Sequence, residues 1–130
     1  MRAPALLVAA LLPPLASAHH SYASFDLEER SLLSGRLLEV LWENPHIVFI
    51  VEAEGERMRV EWVTLSGAER TGVHQGQFSA GDSIEIIASR HENPDIKVMT
   101  VVKEIRLPAS DWRWESPRNR GARPTGTESP

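Results

Sequence analysis

Five short apolar runs lie between residues 35 and 107, and midway the pattern breaks once into a helix signal. Runs of this length, rich in Val, Ile and Phe, suit strands better than helices. Residues 35–42 are apolar on nearly both faces, as a barrel strand is, and residues 46–53 (HIVFIVEA) are strongly β-branched. Residues 57–63 (RMRVEWV) alternate: Met58, Val60 and Trp62 face one way, Arg57, Arg59 and Glu61 the other. Glu54-Gly55-Glu56 joins the last two runs as a tight hairpin signal. Ser66-Gly67-Ala68-Glu69 has the form of a capping box, which predicts a short helix over about residues 67–74. Gly72 inside it costs up to about 1 kcal/mol relative to Ala, and Gly76 can stop it. Gly81-Asp82 then turns into residues 82–89, and residues 97–107 complete the set. The fold class is all-β with one short helix. Three strands, a helix and two strands is the chain order of an OB-fold, a small, partly open five-stranded barrel. A small sandwich or an unrelated five-stranded barrel is the competing architecture.

The two ends differ in kind from this middle. Met1-Arg2, an apolar run at residues 5–12 and the ending Ala16-Ser17-Ala18 are the three parts of a secretory signal peptide. The run is far short of the roughly 20 residues needed to span a bilayer. Residues 1–18 are therefore expected to be removed, leaving the protein in the periplasm with an N-terminal segment at residues 19–32 and the barrel at 33–107. From Pro108 the chain carries Trp112 and Trp114, expected to cover one barrel end. Residues 116–130 lack any large apolar side chain and are expected to form a disordered C-terminal tail.

Charge and cysteine usage narrow the function. The chain has 14 basic and 18 acidic residues, and loss of Arg2 takes the net charge from −4 to −5. Nucleic acid is not an expected partner, since it needs a basic patch. With no cysteine, thiolate metal sites and cysteine nucleophiles are excluded, and stability must come from the core or a ligand. No HExxH, phosphate-cradling glycine loop or GxSxG occurs. Nothing in the sequence asks for an enzyme.

Two loops echo each other. Trp42-Glu43-Asn44-Pro45-His46 joins the first and second strands, and His91-Glu92-Asn93-Pro94-Asp95 joins the fourth and fifth. Asn-Pro is turn chemistry, which leaves His46, His91 and Asp95 to be explained. In an OB-fold these connections edge the binding face, so the three residues are candidates for one rim. Cleavage after Ala18 would make His19 and His20 the first residues. A free α-amine has a pKa of about 7.7–8.0 and an imidazole about 6.5, so both can offer a lone pair near neutral pH. His19 could then chelate through amine and ring, with His20 adding a second imidazole and His46, or as the poorer candidate His91, a third. Such nitrogen donors suit copper(II), and alternatively zinc or nickel. His74 reads as exposed or helix-capping, and Met58 and Met99 as core. Asp26, Glu28 and Glu29 read as a solvated acidic turn.

The start at residues 19–26 (HHSYASFD), Leu33-Ser34-Gly35 leading to Trp42-Glu43-Asn44-Pro45-His46, and Val60-Glu61-Trp62 resemble the domain-of-unknown-function family 6152. These are small exported proteins of Gram-negative bacteria. The resemblance implies a periplasmic home and one domain, and supplies no activity. In that family an aromatic residue usually follows the helix glycine, whereas Val73 follows Gly72 here.

The expected function is a periplasmic small binding protein for a transition metal, copper first, with His19, His20 and His46 as ligands. The rival is a non-metal OB-like interaction module for an envelope protein or small ligand, with Trp42 as anchor and Asn44, His91 and Asp95 beside it. A third reading is an oxidative enzyme on an N-terminal copper site.

Overall fold

The computed structural model describes residues 22–118. The signal-like segment, His19, His20 and the tail after Arg118 lie outside the described residues. Six strands follow in order: β1 (Ser31–Leu41), β2 (Val48–Ala53), β3 (Glu56–Glu61), β4 (Ser83–Arg90), β5 (Val98–Leu107) and β6 (Trp112–Glu115). One helix, α1 (Leu65–Arg70), falls between β3 and β4.

The sheet order is β3-β2-β1-β4-β5-β6, and β3 also pairs with β5 in parallel through Arg59↔Val98 and Val60↔Met99. That last pairing closes the first five strands into a ring, which is the OB-like barrel expected from the chain order. Local chemistry explains how the ring closes. Glu54 and Gly55 both take positive φ, 53° and 79°, the mirror-type two-residue turn whose twist matches that of the flanking strands. β1 serves both halves of the barrel and gains one residue against β2 between Leu37 and Glu39, a bulge that bends the strand. Gly35 sits where a Cβ would come within 2.2 Å of the Glu52 carbonyl oxygen, so no other residue lets β1 approach β2 there.

The core follows the strand alternation. Leu37, Phe49, Val51, Val60, Ile86, Met99 and Ile105 are fully buried, and each large apolar side chain contributes about 1.5–3 kcal/mol by leaving water. Met58 and Met99 lie in this core, as their strand positions predict.

Besides shifts of a few residues at strand ends, three features differ from the sequence expectation. α1 begins two residues earlier than the Ser66 box implies: the Thr64 hydroxyl accepts from the Gly67 N–H at 3.1 Å and caps it. Burial sets this register, because Ala68 must face the core, where it is fully enclosed. Gly72 lies outside the helix, at φ 75° just after the C-cap Thr71, and so ends it before Gly76. His74 is exposed beyond the helix and does not cap it. Finally, residues 112–115 are a sixth strand on β5, with Ile105↔Trp114 and Leu107↔Trp112. Four residues are too few for a period to show. Order continues to Ser116, whose N–H donates to the Lys103 carbonyl at 2.9 Å.

Candidate functional site: a strapped seam with two grooves

Residues 22–30 form a strap across the end of the barrel. Tyr22–Ser24 is a single 3₁₀ turn, and Phe25 bridges to His91. The strap is held mainly by Lys103, which is only 8% exposed; its Nζ donates to the carbonyls of Leu27 at 2.8 Å and Glu29 at 2.6 Å. A buried ammonium needs such acceptors to offset its desolvation. Glu29 is half-buried and fixes the other side: its carboxylate accepts from the Ser31 hydroxyl and from the Arg90 N–H at 3.3 Å. It is a structural anchor, whereas the sequence suggested a solvated turn.

Lys103 lies within an irregular stretch of β5. Between the Ser89↔Thr100 and Ile87↔Glu104 pairs, β5 runs four residues to two on β4. Within that stretch Val101 takes φ 52°, a left-handed conformation that is a genuine outlier for a β-branched residue. Bulges of this kind re-aim side chains, and strained backbone of this kind concentrates at functional sites.

The seam between β3 and β5 carries two grooves that share Tyr22, Glu61 and Thr100. The larger, of ≈ 720 Å³, is lined by His46, Trp62, Thr64, Val101 and Trp114, with Arg70 and Arg118 also on its walls. The smaller, of ≈ 390 Å³, is lined by Phe25, Arg59, His91 and Ile96. Aromatic packing builds the wall of the larger one. Trp62 and Trp114 meet edge to face at 4.9 Å, and the Trp114 indole N–H donates to the Thr71 hydroxyl at 3.2 Å. Trp62 is 5% exposed, and its buried indole N–H has no hydrogen-bond partner among the described residues.

The two Asn-Pro loops leave opposite ends of β1, since β1 is antiparallel to both β2 and β4. They flank the seam, and their histidines fall in separate grooves that share Tyr22, Glu61 and Thr100. His46 is half-buried in the larger groove and His91 half-buried in the smaller. Asp95 is exposed in its loop, where its N–H donates to the Asn93 side chain at 2.9 Å. Trp42 packs against Phe78 at a ring separation of 6.2 Å and is half-buried, so much of its face is already used. Asn44 is exposed and precedes Pro45 through a cis bond. Among the described residues no group of three or more His, Asp or Glu side chains could hold a metal ion; His19 and His20 lie outside them.

Sequence reasoning missed Tyr22, Lys103, Val101 and Arg118 as parts of the site. Lys103 left a trace, a lone lysine within the apolar run VMTVVKEI. Val101 left none, because its backbone angle arises only when the barrel closes.

Fold and site together define a small OB-like barrel with a strapped N-terminal segment and an open aromatic seam. The chain belongs to a family of unknown function (DUF6152), whose model matches residues 7–100, in agreement with the motifs at residues 19–26 and 42–46. No curated protein matches it. The matched stretch ends at Thr100, so Val101, Lys103 and Trp114 lie beyond it.

Proposed function

We propose that the protein is an exported periplasmic binding protein that holds one transition-metal ion, copper in preference to zinc or nickel, through the His19 amine and ring, His20 and His46. The observation that carries this reading is the sharing of one groove by Tyr22 and His46. Chain geometry limits each residue to about 3.6 Å of reach, so the His20 Cα lies within about 7 Å of that of Tyr22, and the His19 Cα within about 11 Å. The strap that begins at Tyr22 is tied down by Lys103 and Glu29, which supports a site shared between the mature N-terminus and His46. Nitrogen-rich donor sets of this type favour copper(II). Export is supported by the Met1-Arg2 start, the apolar run and the Ala16-Ser17-Ala18 ending.

Intact mass of protein recovered from the cell envelope tests both parts. The expected species begins at His19 and retains one metal in native buffer. Copper(II) titration should give one tight equivalent, and His19→Ala and His46→Ala should each weaken it at least about tenfold, in line with losses at metal sites. Equal, weak binding by the processed protein and both variants would end the proposal.

A further inference from the structure

A metal ion at His46 leaves most of a ≈ 720 Å³ groove unexplained. It accounts for neither the tryptophan wall, nor the buried indole, nor the guanidinium groups. We propose that this groove is a binding site for a small organic carboxylate with an apolar body, independent of any metal.

Three features point to that chemistry. Among the described residues the Trp62 indole N–H has no hydrogen-bond acceptor, and its side chain, 5% exposed, lines the groove. An indole nitrogen can only donate, and a buried donor without a partner is unfavourable, so a ligand that supplies it an oxygen lone pair gains by binding here. The charge on the walls has the same sign of preference. Arg70 and Arg118 line the groove, and the acid that also lines it, Glu61, is already paired with Arg59 at 3.2 Å. This cationic bias stands out in a chain of net charge −4, and guanidinium matches carboxylate through paired N–H donors. The remaining surface of Trp62, Trp114 and Val101 is apolar and suits a ring or short alkyl body. The volume falls in the range typical of small-molecule sites.

The test uses metal-free protein, prepared with a chelator, so that failure of the copper reading and failure of this one are separate results. Benzoate, cyclohexanecarboxylate and benzylamine are titrated by calorimetry and by tryptophan fluorescence. The carboxylates should bind at least about tenfold more tightly than the amine, as expected when charge pairing decides. Trp62→Phe keeps the ring and removes the N–H, and should weaken the carboxylates about fivefold or more. Arg70→Ala with Arg118→Ala, both on exposed residues, should abolish the preference for acid over amine without altering the melting temperature. Equal binding of acid and amine, or no binding of any probe by the wild type up to about 10 mM, would overturn the proposal. So would unchanged affinity in a folded Trp62→Phe protein, which would mean that the Trp114 ring already satisfies that N–H.

Discussion

The two grooves on either side of Tyr22 are built from similar parts and finished differently. Each is edged by a Glu-Asn-Pro loop and each presents one half-buried histidine. In the smaller groove the histidine is already used. His91 Nδ1 accepts from the Asn93 N–H at 3.0 Å, and its ring meets Phe25 edge to face at 5.1 Å. In the larger groove the same comparison runs the other way: a left-handed valine, a buried indole N–H with no acceptor among the described residues and two arginines line the groove along with His46. Folding satisfies polar groups wherever it can. A side of the molecule where strain and unmet donors collect is therefore the side to examine for a ligand, and a repeated sequence triplet is no guide to which side that is.

The strongest way to break the comparison is to remove what separates the grooves. Lys103→Met takes the donors from the Leu27 and Glu29 carbonyls while keeping the apolar length of the side chain. Two charge-assisted hydrogen bonds are lost, an expected destabilisation of about 2–3 kcal/mol, read as a fall in melting temperature of roughly 10 °C or more. The strap would loosen, and Tyr22 would no longer divide one groove from the other. Proteolysis near residues 22–30 should quicken in parallel. An unchanged melting curve would mean that the strap is held by β4 alone.

The next test exchanges the histidines. His46→Ala should lower copper(II) affinity at least about tenfold and leave stability within about 0.5 kcal/mol, since no side-chain hydrogen bond among the described residues depends on it. His91→Ala should do the reverse. It removes an acceptor from the exposed Asn93 N–H, which water can replace, and an edge-to-face contact with Phe25, for a loss of about 0.5–1.5 kcal/mol, with copper affinity unchanged. Denaturant melts and metal titrations on the same two proteins decide the matter. Equal effects on both readouts would erase the distinction between the grooves.

The barrel was legible in the sequence because its signals are local. Alternation at Met58, Val60 and Trp62, the Glu54-Gly55 turn and the helix between the third and fourth strands required only nearest neighbours along the chain. The site was legible only in part. His46 stood out by residue type, but its separation from His91 follows from β1 pairing antiparallel to both β2 and β4, a long-range fact. Thr64 displaced Ser66 as the helix cap because Ala68 had to be buried, and a capping box does not report which residue faces the core. The strap depends on contacts such as Lys103 to Leu27, which no local pattern encodes.

The smallest expected effect is also the most pointed. Val101 lines the larger groove only, at φ 52°. Val101→Gly removes the clash of Cβ with its own backbone, worth about 1–3 kcal/mol at such positions, and gives up the contacts of a half-buried side chain, about 1 kcal/mol. With strain of about 2.5 kcal/mol and about 0.5–1 kcal/mol lost to the greater chain entropy of glycine, the balance is a stabilisation of about 0.5–1 kcal/mol, measurable as a raised denaturant midpoint with unchanged slope. If the strain belongs to the groove and not merely to barrel closure, this more stable protein should also bind the carboxylate probe less tightly, because the wall is no longer held in one shape and has lost its apolar face. A variant that gained stability and bound equally well would show the bent strand to be only the way β5 fits its two neighbours.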